Sequence, residues 1–390
     1  MDIRKVNSTT DWRSFHRVPH LIYRNVQHWI CPPESDVEEN FDPARNKAFQ
    51  DGEAACFVLF GDQNRPVGRI AAFIDYAANR ERGVNAGGIG FFESLPVEEH
   101  AFALFRRAED FLAKRGVDLI DGPINFGERN RYWGLLVKGH DKAPLFQEYY
   151  HPPYYRKYFE AWGFRPYEQI LTLQADLREV LDHHIRRFIS IGERVARRVP
   201  FTVESLDLKR LPRFAEHFAE VYNEAFRDKA FFKPLSPGEL YEIFREMKPI
   251  VNPDLVCMAY HGTKPIGFAA MMPEINPFLK GMKGRLNWWR RIQFALRFRY
   301  AAQKDIKGVA FGIRSDYQQK GIFAIMVRHM ALQPTTFKHR NLYLTTIRGH
   351  NEVMVKTTKN LGVEIERVHV TFRKILKDDI PFEPHAFIEL

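Results

Sequence analysis

The sequence predicts a mixed α/β protein built as two lobes of one plan, joined by a charged helical connector. Three observations predict it. Apolar runs of strand length alternate with longer helical runs along the chain. The pattern occurs twice, because Pro66-Val67-Gly68 recurs as Pro265-Ile266-Gly267 at an offset of 199. At 390 residues the chain exceeds one ordinary core, which favours two units of about 150–200 residues each.

Taken in order, residues 56–72 read as strand, Gly/Asp/Asn turn and strand, and residues 255–271 read the same way. The first half then carries a strand, VDLIDGPIN, and an extra stretch at about 126–151. Residues 154–173 match 353–372, each a helix stopped by a glycine (Gly163, Gly362) and followed by a strand. Residues 176–200 form the connector, and a new strand begins at 201. The second half has its own extra stretch at about 276–305. The expected division is therefore 1–175, 176–200 and 201–390, and the shared plan reads as an internal duplication.

Residues 308–332 carry the clearest chemistry: a short apolar strand (Val309 to Ile313), a polar turn centred on Gly321, and an apolar helix. Such a turn aims successive backbone N–H groups at one spot, where the helix dipole adds to them, and a diphosphate is the natural occupant. The same place in the first half reads GFFESLPVEEHAFALF. There Pro96 lacks an N–H and Glu98-Glu99 would repel an anion.

The spacing Gln318-x-x-Gly321-x-Phe323 resembles the (Arg/Gln)-x-x-Gly-x-(Gly/Ala) signature of the GNAT superfamily of acyl-CoA-dependent N-acyltransferases. The second half resembles a GNAT domain over nearly its whole length, including NLYLTTIRGH ending at Asn351 and KNLGVEIERV after it. The first half resembles a diverged GNAT lobe. The phrases GPINFGERNRYWGLLV, HPPYYRKYFEAWGF and PEIN (273–276) resemble a bacterial group with two tandem GNAT-like lobes.

The resemblance implies acetyl-CoA or a longer acyl-CoA as co-substrate, no metal, and direct attack of an amine on the thioester. It implies an oxyanion donor among the backbone N–H groups of Phe311, Gly312 and Ile313. It places the diphosphate on amides of Gln319, Lys320, Gly321, Ile322 and Phe323, beside Gln318, and gives Asn351 to the cofactor arm. Phe323 departs from the small residue that the pattern prefers. The helix after Asn351 lacks the tyrosine that many relatives use as acid, which leaves Tyr317 and Tyr343 as substitutes. Glu224, Asp228 and Glu274 are candidate bases, each with an alternative reading as a solvated carboxylate. The first lobe is expected not to bind CoA but to wall the substrate cleft or hold its partner.

The insertion at 279–300 holds seven Lys/Arg and no acid. At helical spacing Trp288, Trp289, Ile292, Ala295, Leu296 and Tyr300 share one side, while Arg290, Arg291 and Arg297 lie mostly opposite and Phe294 and Phe298 interrupt the polar face. An anionic bilayer attracts such a helix; the alternative is packing against the other lobe. The net charge of +10 favours an anionic partner, but no nucleic-acid module accompanies it. Gly122-Pro123, Asn125, Arg129, Arg131 and Trp133 form a polar-aromatic loop that could line a pocket between lobes or serve as a structured turn. His183 and His184 point about 100° apart on a helix and are no metal pair. Three scattered cysteines argue for a reducing compartment. No signal-peptide run opens the chain and no window reads as a transmembrane helix. The expectation is a cytoplasmic acyltransferase for a primary amine, with peripheral contact at the inner membrane face. Its rivals are a non-catalytic acyl-CoA sensor or interaction protein and a lipid-amine acyltransferase.

Overall fold

The computed structural model describes residues 1–180, 185–227, 234–359 and 362–389. In the first half the order is β1 (Asp2–Lys5), α1 (Thr9–Ile22), α2 (Glu34–Glu39), β2 (Gly52–Phe60), β3 (Pro66–Asp75), α3 (Tyr76–Arg82), β4 (Ala86–Ser94), α4 (Glu98–Ala113), β5 (Leu119–Gly122), β6 (Leu135–Lys138), α5 (Tyr155–Ala161) and β7 (Arg165–Asp176). A short turn of helix, α6 (Leu177–Glu179), and the connector helix α7 (Ile185–Arg198) lead into the second half. There follow β8 (Phe201–Ser205), α8 (Leu211–Ala225), α9 (Pro237–Met247), β9 (Val256–His261), β10 (Lys264–Pro273), α10 (Asn276–Leu279), α11 (Trp288–Tyr300), β11 (Asp305–Ile313), α12 (Ile322–Ala331), β12 (Asn341–Arg348), α13 (Glu352–Lys359) and β13 (Glu364–Ile375).

Local signals set the ends of these elements. Ser8 with Asp11 and Ser236 with Glu239 form capping boxes that start α1 and α9. Gly163 and Gly362 follow α5 and α13 at φ +90° and +69°, the left-handed turn that ends a helix without a Cβ penalty. The repeated Pro-x-Gly hairpin also has a packing reason. A Cβ on Gly68 would lie 2.7 Å from Leu104 of α4, and one on Gly267 would lie 3.1 Å from Ile322 of α12.

The strands form one mixed sheet in the order β1-β2-β3-β4-β5-β13-β7-β12-β11-β10-β9-β8, with β6 pairing β13 off this path. Read from either edge, the order is the same in terms of the repeat, with a pseudo-twofold between β13 and β7. Among the described strands only β4–β5 and β11–β12 are parallel. The two long strands exchange places. β13, from the end of the second half, pairs β5 of the first (Phe372 opposite Gly122), and β7 pairs β12 of the second (Tyr343 opposite Gln174). One buried cluster accordingly runs from Leu104 and Phe105 through Leu171 and Leu173 to Ile347, Val368 and Phe372.

The sheet is covered on both faces in the second half. Helices α8 and α9 pack Phe214, Phe218 and Phe244 on Met258, Phe268 and Ala270, while α12 packs Ile322, Ile325 and Met326 on the other face against Cys257, Ala259 and Ile266. Each insertion reaches into the opposite half. β6 pairs Leu135 with Val370 of β13, and the α10–α11 segment meets the first half through Glu34 N to Gly284 O (2.7 Å) and Asn276 Nδ2 to Pro144 O (2.7 Å). His183 and His184 lie outside the described residues.

Candidate functional site

β11 and β12 pair only from Asp305/Asn341 to Gly308/Leu344. Beyond that point both strands continue, to Ile313 and Arg348, without pairing each other. Two irregularities mark the point of divergence. Against β10, Ala310 opposes Ala270 and Gly308 opposes Met271, so Val309 is an extra residue. Against β7, β12 bulges between Leu344 and Ile347, with Thr346 at φ +57°. A β-branched residue held there stores about 1–3 kcal/mol of strain, and bulges are the usual means of re-aiming a strand beside a site.

The bulge decides which backbone donors face the opening. Arg314 N donates to Ile266 O across the β10 side at 3.0 Å. By strand alternation Gly312 and Ala310 also face β10, and the N–H groups of Phe311 and Ile313 point into the open V. Of the three residues proposed as oxyanion donors, Phe311 and Ile313 are thus aimed at the cleft. Gly312 instead makes room, since a Cβ there would lie 2.8 Å from Phe268.

At the outer end of β11 the chain turns through Gln318, Gln319 (φ +62°) and Lys320 to Gly321, the N-cap of α12 at φ +82°. The first-turn N–H groups of α12 have no carbonyl within the helix to receive them. The turn is braced from two sides. Val195 of α7 lies 2.6 Å from where a Cβ on Gly321 would be, and Glu224 of α8 accepts from Ser315 N (3.1 Å) and Ser315 Oγ (2.5 Å). Phe323 stacks edge-on against Phe311 with ring centroids 4.9 Å apart, so the bulky residue of the signature packs along the β11 arm. On the other arm Asn351 caps α13, accepting from Met354 N at 3.2 Å.

The matching cleft of the first half is closed by its own chain. β4 and β5 also pair briefly, Ala86–Gly88 with Leu119–Asp121, and β4 also bulges near Phe91 (φ +47°). Past the divergence, however, Ile124 N donates to Ile89 O (2.8 Å), Phe91 N to Tyr149 Oη (2.8 Å) and Ser94 N to Tyr155 Oη (2.7 Å). A Cβ on Gly90 would fall 2.0 Å from Ile124 O. The strand donors that have no partner among the described residues on β11 are therefore occupied on β4. Glu98 and Glu99 stand in the first turn of α4, which has no side-chain cap.

At the paired base of the second-half V, on the face carrying α8 and α9, lies a cavity of about 140 Å³ between the two halves. Glu274, Pro277, Asp305, Tyr343 and Glu366 line it, with Lys142 from the first-half insertion. Glu274 is 3% exposed. Its Oε1 accepts from Phe146 N (2.8 Å) and Asn276 N (2.9 Å), while Oε2 is buried without a partner among the described residues. Burial raises its pKa, against the pull of Lys307, and burial likewise raises Glu366 and the Tyr343 hydroxyl. Behind them burial also acts on Glu148, but Arg367 (3.3 Å away) and Lys307 outweigh it and hold this carboxyl at about 2. Two carboxyls of opposite tendency thus stand together: Glu148 is held as an anion, while burial favours the protonated form of Glu274.

Tyr317 lies apart from this cavity, at the far edge of the sheet, where its hydroxyl meets His261 Nδ1 (3.0 Å) and its ring packs on Phe201. Glu224 is engaged in holding the turn, and Asp228 lies outside the described residues. The polar-aromatic loop of the first half does reach the second. Arg129 and Arg348 both bind Glu168 (3.0 and 2.8 Å) and flank the Trp133 ring. Glu168, His350 and His385 have the spacing of a metal site, but two guanidiniums already neutralise that carboxylate. Sequence reasoning missed Glu148, Asp305, Glu366 and Arg367. The available signal was a glutamate–arginine pair (366–367) inside an apolar strand.

No family model matches the chain. It is 23% identical to the bacterial ceramide synthase of Caulobacter vibrioides over 388 residues, covering 96% of this chain and 98% of that one. It is 22% identical to protein YghO of Escherichia coli over 325 residues, 81% and 79% of the two chains. Among solved structures it matches a tandem GNAT protein from the clavulanic acid biosynthesis pathway (TM-score 0.55, 10% identity, 97% and 99% of the two chains). The chain has a tandem GNAT fold.

Proposed function

We propose that the protein transfers an acyl group from acyl-CoA to an amine, with the thioester in the second-half V and the amine in the carboxylate-lined cavity at its base. The observation that carries this reading is the contrast between the two clefts. Both diverge and both bulge, but among the described residues only the second leaves strand N–H groups facing the opening and a glycine turn at its outer end.

Acyl-CoA would supply an activated thioester. The chain's own groups then have distinct tasks. Phe311 N–H and Ile313 N–H are aimed to receive the negative charge that builds on the acyl oxygen. The first turn of α12 offers donors to the diphosphate. The Asp305 carboxylate favours entry of a cationic ammonium, and the second oxygen of Glu274 takes its proton to release the nucleophile. Tyr343 stands in the same cavity with a raised pKa, suited to hold a proton for the departing sulfur.

An amine with an alkyl tail fits best as acceptor. Ceramide is by its chemistry an amide of a long-chain amino alcohol, and the relative bearing that activity in its name aligns across the whole chain. The test is thiol release from acetyl-, medium- and long-chain acyl-CoA against short amines, long-chain amino alcohols and aminolipids. Amine-dependent release with amide product supports the reading. Tight CoA binding without turnover of any amine would replace it with a sensor.

A further inference from the structure

We infer that the outer face of α11 is a membrane-docking surface that seats the protein on an anionic lipid bilayer beside the mouth of the amine cavity. The helix is the reverse of an ordinary surface helix. Its outward stripe is apolar: Trp288, Trp289, Ile292, Leu296 and Tyr300 are 44–76% exposed, five of the twelve large exposed apolar residues described in the chain. Spacing of four residues along 288, 292, 296 and 300 puts them on one line, and the two tryptophan rings stack at 3.9 Å.

The inward side explains why this is not a misplaced core face. Phe298 is buried on Phe278, Phe294 packs with Ile30, Leu279 and Met282, and the core side of the helix is therefore already filled. Arg290 and Arg297 also turn inward, donating to Met282 O (2.6 Å) and Lys280 O (2.8 Å). They clamp the loop and keep their charge. Lys280, Lys283, Arg291 and Arg299 are exposed, and no acid lies between residues 275 and 304.

Charge selects the occupant. A second copy seated face to face would set one acid-free cationic segment against another, whereas anionic headgroups complement it. Paired tryptophans and a tyrosine on an apolar line, flanked by Lys and Arg, match the boundary between headgroups and acyl chains. Position adds a reason. Phe278 of α10 rests on Phe298 of α11 at 5.2 Å, and its neighbour Pro277 lines the cavity that holds Glu274. The link to a bilayer-borne amine rests on the proposed acyl transfer; docking itself does not.

The test is co-sedimentation of the full chain with phosphatidylcholine vesicles, with and without phosphatidylglycerol, at low and high salt, read also by tryptophan emission. The variant is Ile292→Glu with Leu296→Glu, two outward positions away from the cavity and the V. The inference expects binding and a blue shift with phosphatidylglycerol vesicles, weakened by salt, and a loss of about tenfold or more in the variant. Turnover of a short soluble amine should not change. Absence of vesicle binding by the wild type would overturn it, as would equal binding by the variant. So would self-association that the variant abolishes while vesicles remain unbound. Because vesicle binding needs no turnover, failure of the acyl-transfer reading would leave this result standing.

Discussion

Replacing Glu274 with glutamine separates chemistry from architecture. Oε1 of Glu274 receives two backbone N–H groups, Phe146 N and Asn276 N, while Oε2 has no partner among the described residues. Glutamine keeps the accepting oxygen for both backbone donors but adds an amide NH2 where Oε2 stood, so stability should change by about 1–3 kcal/mol at mildly acidic pH. Alanine leaves both donors unpaired, at about 1–3 kcal/mol each, and should lower stability by about 2–6 kcal/mol. On activity the two should agree, because loss of a general base costs about 10²–10⁴ in rate. The pH behaviour has a definite sign. Burial raises Glu274 above 4.5, so between that value and the raised one the folded protein holds more protons than the unfolded chain. Wild-type stability from this group therefore falls as pH climbs through that window. Glutamine has no such proton, so the melting temperature of the variant relative to wild type should rise with pH over the same range. The wild-type rate should rise along the same titration. Thermal denaturation and thiol release over a pH series measure both. A folded Glu274→Gln enzyme within about threefold of the wild-type rate would refute the assignment, since even a weak general base supplies about a hundredfold.

Three further outcomes follow from contacts in the clefts. Gly321→Ala should cost about 2 kcal/mol or more, from the left-handed backbone and the 2.6 Å approach of Val195, with Val195→Ala recovering part of it in urea unfolding. Tyr149→Phe should lose about 1–3 kcal/mol by orphaning Phe91 N–H, yet leave the Kd for acyl-CoA unchanged in calorimetry, because the proposed acyl-CoA site lies in the second-half cleft. Glu224→Ala should weaken acyl-CoA binding about tenfold by loosening Ser315 while the pH profile of the rate stays put; a flattened profile would restore Glu224 as the base.

The fold was legible because its signals are local and repeated. Pro265-Ile266-Gly267, the stop at Gly362 and the Gly321 turn each follow from backbone chemistry that a short window reveals. The strand exchange was not, because β13 reads the same from sequence whichever neighbours it has. On α11 the sequence gives the correct stripe of 288, 292, 296 and 300 but not which stripe faces water. Phe294 and Phe298 seemed to interrupt a polar face, and they are in fact the anchors of the buried one. The arginines expected opposite the apolar line are clamps on loop carbonyls, so substituting them would test the loop before any bilayer. The carboxylate-lined cavity was least legible of all. Lys142, Glu274, Asp305, Tyr343 and Glu366 come from distant parts of the chain, and only the interlocking of the two insertions brings them together.

The exchanged strands impose a schedule on synthesis. When β7 is complete at Asp176, the seat between β5 and β7 is empty, and its occupant ends at Ile375, roughly 200 residues later. At about 5–20 residues per second, the nascent first half waits about 10–40 s with one unpaired edge on β5 and two on β7. For that interval it is an aggregation-prone species. Neither half is a transferable module: a shortened chain ending before Glu364 leaves this seat vacant, and one starting at residue 201 takes β7 from β12 and takes β5, β6 and β7 from β13. Two copies of a plan thus share one sheet and interlock as a single folding unit, so the second-half cleft stands on strands that the first half supplies.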